Sequence, residues 1–158
     1  MALQVRRVVT GHDAGGKAIV SFDDMLQGVS RRPNHANAVV WTTNTIPVDN
    51  TRGGDAALAE IGFTIPDGSV FRVVQYGPGV APRMHRTDSI DYAVVMSGEI
   101  DMELDGGLVV HLKAGDVLVQ RGTIHNWVNN GAETCTIAFV LIDAKPVEVG
   151  GRVLQAQG

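Results

Sequence analysis

Short apolar stretches rich in valine and isoleucine, each closed by Gly, Pro, Asn or Asp, recur along most of the chain. That is the pattern of strands and turns rather than of helices. "RRVVTG" at 6–11 and "KAIVSF" at 17–22 flank "HDAGG", whose glycines supply the backbone freedom of a hairpin turn. "NAVVWTT" at 37–43 predicts a further strand, whereas 23–35 lacks a clear period and reads as a connector with room for one helical turn. Residues 44–62 mix chain breakers with one helix-prone patch, "DAALAEI", and read as a long loop.

From residue 63 the spacing tightens. "FTIPDGSVFRVVQYGPG", "DYAVVMSGEIDMEL", "GLVVHL", "DVLVQRG", "HNWVNN" and "TCTIAFVLID" follow one another at the interval expected of a barrel or sandwich. "LDGGL" between "IDMEL" and "VVHL" is the clearest hairpin, and the block occurs once, which excludes a duplicated two-barrel architecture. The expectation is an all-β protein, a single antiparallel barrel, with 1–62 adding N-terminal strands, 63–145 forming the core and 146–158 a tail.

At 158 residues the chain suits one domain. A formal net charge of −4 without a long Lys/Arg run gives no footprint for nucleic acid. No run approaches the roughly 20 apolar residues of a membrane span, and the N-terminus lacks the apolar stretch of a secretory signal, so the expected setting is cytoplasmic. Cys135, the single cysteine, lies in "TCTIAFVLI" and reads as a small core residue.

Two motifs carry chemistry. Gly79, His85, Thr87, Asp91 and Gly98 fall at the spacings of the first motif of the cupin superfamily, G-x(5)-H-x-H-x(3,4)-E-x(6)-G. Thr stands in place of the second His and Asp in place of the Glu. "GDVLVQRGTIHNWVN" matches the second motif through Gly115, His125 and Asn129, one residue shorter, with Arg121 and Gly122 where Pro-x-Gly is usual. The chain thus resembles the cupins, and the resemblance implies a double-stranded β-helix of jelly-roll type, a site inside it, and a homodimer built with the N-terminal strands.

On a strand, residues two apart share a face, so His85 goes with Thr87, and His125 with Trp127 and Asn129. The resemblance turns these faces inward. His85, Asp91 and His125 then form either the ligand set of one divalent metal such as Fe, Mn, Ni or Zn, or a metal-free imidazole–carboxylate acid–base group. Arg83 and Arg121 are candidates to hold a carboxylate or phosphate. Tyr76, Trp127 and Trp41 are candidates for an aromatic wall, while His12, His35 and His111 read as solvent-facing. The function expected is binding of one small molecule. An enzyme acting on a carboxylate- or carbonyl-bearing metabolite by decarboxylation, isomerisation or another lyase-type step comes first. A non-catalytic sensor and a metal-dependent dioxygenase are the alternatives.

Overall fold

The computed structural model describes residues 2–158. Two strands open the chain, β1 (Gln4–His12) and β2 (Ala18–Gln27), closed by a turn in which the Asp13 carboxylate accepts from the Gly15 and Lys17 amides. Next come β3 (Val29–Arg32), β4 (His35–Thr43), a single 3₁₀ turn at Ala56–Leu58, and β5 (Ser69–Tyr76). The block from 63 onward continues with β6 (Ser89–Ser97), β7 (Glu99–Leu104), β8 (Val109–Lys113), β9 (Val117–Arg121), β10 (His125–Val128) and β11 (Cys135–Asp143). Two short strands end it, β12 (Val147–Val149) and β13 (Arg152–Leu154).

The architecture is two unequal antiparallel sheets packed as a jelly roll. A six-stranded sheet runs β3-β4-β5-β11-β6-β9, and a three-stranded sheet runs β10-β7-β8. His85 extends the smaller one, because its amide and carbonyl exchange 2.9 Å bonds with those of His125. The sheets do not close into one continuous ring of hydrogen bonds. Period-two alternation supplies the core: Val70, Val74 and Tyr76 on β5, Ala93 and Val95 on β6, and Ile137, Phe139 and Leu141 on β11 meet Ile100, Met102, Leu112 and Trp127 of the smaller sheet. Gly98, at φ +74°, makes the β6–β7 turn, where a Cβ would fall 2.6 Å from the Thr134 carbonyl oxygen.

The expected β1–β2 and β7–β8 hairpins, the strand over 37–43 and the loop over 44–62 are all present. The connector expected over 23–35 is instead the end of β2 plus β3. Its missing period reflects charges that sit on strands: Asp23 pairs with Arg6 at 2.9 Å, and Asp24 with Arg7 at 2.6 Å, across the β1–β2 ladder. The hairpin face that carries Arg7 and Asp24 also packs Leu3, Val5 and Leu26 on Ala38, Val40 and Val73, on the outside of the large sheet. The segment over 146–158 is an ordered hairpin whose end, Gln157, pairs with Arg86.

Candidate functional site

A cavity of about 360 Å³ lies between the two sheets, at the small end of the range for small-molecule sites. One wall comes from the large sheet, where alternation places Arg72, Val74 and Tyr76 of β5, Phe139 and Leu141 of β11, and Asp91 of β6 on the inner face. His35, Asn37 and Val39 continue this wall along β4, and Arg31 and Arg32 stand at the end of β3. The smaller sheet contributes Arg83, His85, Thr87, His125, Asn126 and Trp127, and Phe63 closes the rim from the long loop.

The two motif histidines face each other, with ring centroids 4.3 Å apart. Each Nδ1 lies against a backbone carbonyl, 2.9 Å from Arg83 O for His85 and 3.0 Å from Thr123 O for His125. A carbonyl oxygen only accepts, so both Nδ1 atoms carry the proton and both Nε2 atoms keep a lone pair in the neutral ring. Burial, and then the neighbouring His85, push His125 down to about 4. Burial also lowers His85. Both rings are therefore neutral near pH 7, which suits them as bases. The Trp127 indole meets the His125 ring edge-on at 5.7 Å and fixes it from the side.

Asp91 is buried, and its carboxylate accepts a 2.5 Å bond from Ser89 Oγ, which in turn accepts from Thr87 Oγ1 at 2.8 Å. Desolvation raises its pKa to about 6, against the Ser89 bond and the Arg72 charge. The two motif departures from the cupin pattern, Thr87 and Asp91, are thus joined through Ser89. The donors do not fit a two-imidazole, one-carboxylate metal centre. The rings supply two nitrogens, the carboxylate is taken up by Ser89, and among the described residues no group of three His, Cys, Asp or Glu side chains is placed to hold an ion. Asp91 shares the cavity with the histidines without being gathered to a common point with them. Thr87→His adds a third imidazole to this wall and is expected to strengthen Zn(II) binding about tenfold or more. Calorimetric titration reads the change, and equal affinities would show that position 87 does not reach the histidine pair.

Of the residues expected from sequence, Tyr76, Arg83, His85, Thr87, Asp91, His125 and Trp127 line the cavity. Two do not. Arg121 is exposed because β9 turns its neighbour Gln120 inward, opposite Asp91. Asn129 is buried in a structural role: its amide donates to the Tyr76 and Glu133 carbonyls, and its oxygen accepts from Gly131 N. Trp41 packs on Phe22 instead of in the cavity. The shortened second motif is a tight connection through Gly122, at φ +60°. His12 and His111 are exposed as expected, and Cys135 is a buried core residue whose thiol burial raises to about 11.

His35 corrects the solvent-facing expectation. It begins β4, meets the Tyr76 ring edge-on at 5.5 Å, and leaves a buried Nδ1 without a partner. Burial first, then the charges of Arg32, Arg83 and Arg72, lower it to about 4. Sequence reading also missed Arg72, Arg31 and Arg32. For Arg72 the signal was present: it shares its strand face with Val70, Val74 and Tyr76, and a charge on a buried apolar face is a functional marker.

These groups shape stability against pH. The native Asp91 holds its proton up to about 6, against 3.8 ordinarily. Its contribution is present below the unfolded value and is lost as pH rises through about 6. His35 and His125 do the opposite: unfolded imidazoles charge near 6.5 but these two stay neutral to about 4, so stability is lost as pH falls across that window. Two imidazoles outweigh one carboxylate. Urea midpoints are expected to fall between pH 6.5 and 4, more steeply in Asp91→Asn; an unchanged slope in that variant would contradict the raised carboxyl.

Residues 72–142 match the family model of the cupin domain. The chain is 40% identical over 157 residues to "Phomopsin biosynthesis cluster protein C'" of Diaporthe leptostromiformis, covering 94% of this chain and 83% of that protein. It is 34% identical over 161 residues to "Cupin-domain-containing oxidoreductase fogC" of Aspergillus ruber, covering 96% and 79%. Among solved structures, a conserved protein with a double-stranded β-helix domain from Klebsiella pneumoniae superposes with a TM-score of 0.53 at 22% identity, over 82% of this chain and 90% of that one. That last likeness concerns the fold alone.

Proposed function

Since the chain belongs to the cupin family, we propose that its cavity is the active site of an enzyme that moves a proton on a small carboxylate- or carbonyl-bearing molecule. The observation that carries this reading is the facing pair of neutral imidazoles, each with Nδ1 tied to a backbone carbonyl and Nε2 left as a base. Nε2 of His125 or His85 takes the proton from a carbon next to a carbonyl, and the electron pair moves to the carbonyl oxygen as an enolate. The imidazolium so formed returns the proton to the enolate, and Asp91, raised by burial to about 6, is the carboxyl on the opposite wall that exchanges a proton just below neutral pH. Positioned proton transfer of this kind contributes on the order of 10²–10⁴-fold in rate; isomerisation of a 2-oxo acid is the reaction it serves, and decarboxylation of a 3-oxo acid passes through the same kind of enolate.

The test follows pyruvate, 2-oxobutanoate and phenylpyruvate in deuterated buffer by proton NMR. Loss of the C3 proton signal faster than in buffer supports the reading; rates equal to buffer for all three oppose it and leave a binding or sensor module. A second reading, an oxidoreductase, is favoured by the name of the Aspergillus ruber relative. In it the substrate also gives up electrons to an acceptor, and consumption of dioxygen during turnover separates the two. The reading extends to a homodimer, because Tyr92, Val94, Val117 and Val119 leave an apolar patch exposed on the outer face of β6 and β9. Sedimentation should give twice 16.8 kDa, and a single-chain mass would refute it.

A further inference from the structure

Four guanidinium groups line the cavity between the two sheets: Arg31, Arg32, Arg72 and Arg83. Elsewhere Arg6, Arg7 and Arg52 each meet an aspartate. Among the described residues none of the four cavity arginines has an Asp or Glu side-chain carboxylate within 4.0 Å. Arg32 Nη1 donates to Ala81 O at 2.9 Å and Arg72 Nη2 to Phe63 O at 2.8 Å, amide carbonyls that leave the charge unbalanced, while Arg83 Nη2 donates to Gly158 O at the last residue of the chain. The only acid on the cavity wall is Asp91. Among the described residues Arg86, Arg121, Arg152 and the lysines also lack a carboxylate partner but do not line this cavity. Four guanidinium groups share it with a single carboxylate, in a chain whose formal net charge is −4. Partly desolvated charge without a counter-charge is costly, and a ligand anion supplies the missing partner.

The rest of the lining narrows the ligand. Phe63 lies under the Arg83 guanidinium at 4.5 Å, and Tyr76, Trp127 and Phe139 continue an aromatic surface with ring centroids 5.6–5.9 Å apart. A flat unsaturated body fits such walls, and about 360 Å³ limits it to a small one. Phosphate sites are commonly built on a helix N-terminus or a glycine-rich nest of amides. Among the described residues the sole helical turn, at Ala56–Leu58, does not line the cavity. An arginine fork matches a carboxylate bidentately.

We infer that the cavity recognises a small aromatic carboxylate, its carboxylate held by Arg72 and Arg83 within the field of Arg31 and Arg32, and its ring against Phe63 and Trp127. The inference rests on the reading of this cavity as the substrate site and adds to it the class of substrate. The opposite sheet presents the histidine pair to the remainder of the ligand.

The test is calorimetric titration with benzoate, benzamide and phenyl phosphate against the wild-type protein and the variants Arg72→Gln, Arg83→Gln and Arg121→Gln. Benzoate is expected to bind about tenfold or more tightly than benzamide, the same body without the charge. Arg72→Gln and Arg83→Gln should each weaken benzoate about tenfold or more while leaving benzamide unchanged, and the exposed Arg121→Gln should change neither. Arg83 is partly exposed, so its variant keeps the test standing if Arg72→Gln does not fold. Equal affinity for benzoate and benzamide, no binding of benzoate, or no effect of either cavity variant overturns the inference. Tighter binding of phenyl phosphate than of benzoate overturns the assignment to a carboxylate. Benzoate has no exchangeable carbon-bound proton beside its carboxyl group, so its binding stands or falls apart from proton transfer. A cavity that binds it as stated yet exchanges no substrate proton refutes the catalytic reading alone.

Discussion

His125→Asn is expected to slow proton exchange on a 2-oxo acid by about 10²-fold or more while the protein folds normally. Asparagine retains an amide donor near the place of Nδ1, so the bond to the Thr123 carbonyl, 3.0 Å in the native protein, can be kept. What disappears is Nε2, the lone pair that the neutral ring presents. The loss should fall on kcat with KM nearly unchanged, since the arginines that hold substrate charge are untouched. His85→Asn should act in the same direction, and the double variant should cost little more than the worse single one, because groups that work as a unit are not additive. The rings are 4.3 Å apart, close enough to act on one substrate proton as a unit. Full activity in His125→Asn would remove the imidazole from the mechanism.

Arg7→Met is expected to destabilise the fold by about 3 kcal/mol, the low end for breaking a buried pair. The Arg7 side chain is 1% exposed and binds two carboxylates, Asp24 through Nε and Nη2 at 3.0 and 2.6 Å, and Asp55 through Nη1 and Nη2 at 2.6 and 2.8 Å. Phe22 lies 5.0 Å below the guanidinium. One side chain therefore ties β1 to β2 and both to the long loop. Methionine fills the stem's volume but leaves Asp55, 18% exposed, facing an apolar neighbour; Asp24, 44% exposed, recovers water and loses less. Arg7→Lys should fall between, since an ammonium cannot form two bidentate pairs. Guanidinium denaturation measures the difference, and a change under about 0.5 kcal/mol, the range of ordinary surface substitutions, would contradict it.

The core of the fold was legible because alternation and turn chemistry are local. "SVFRVVQY" and "TCTIAFVLI" announce strands without help from the rest of the chain, and "LDGGL" announces its hairpin. The β2–β3 stretch was not, because Asp23 and Asp24 look like loop residues until Arg6 and Arg7 are placed opposite them. The site divides in the same way. His85 and His125 were found by the spacing of the cupin motifs; strand parity told which residues share their face, and the resemblance turned that face inward. Arg121 was misplaced because the shortened turn at Gly122 decides which of Gln120 and Arg121 faces inward, and spacing alone does not reveal that. Arg72 carried a readable sign in its apolar face, whereas His35 and Phe63 reach the cavity only through the pairing of β4 with β5 and the course of a long loop.

A crystal structure of the protein soaked with phenylpyruvate tests the central claim most directly, since that molecule carries an aromatic ring, a carboxylate and an exchangeable C3 proton together. The account predicts the ligand between the two sheets, its carboxylate within hydrogen-bond distance of Arg72 or Arg83, and its C3 carbon about 3–3.5 Å from Nε2 of His125 or His85. Density outside this cavity, or a ligand whose C3 carbon points away from both imidazoles, would contradict it.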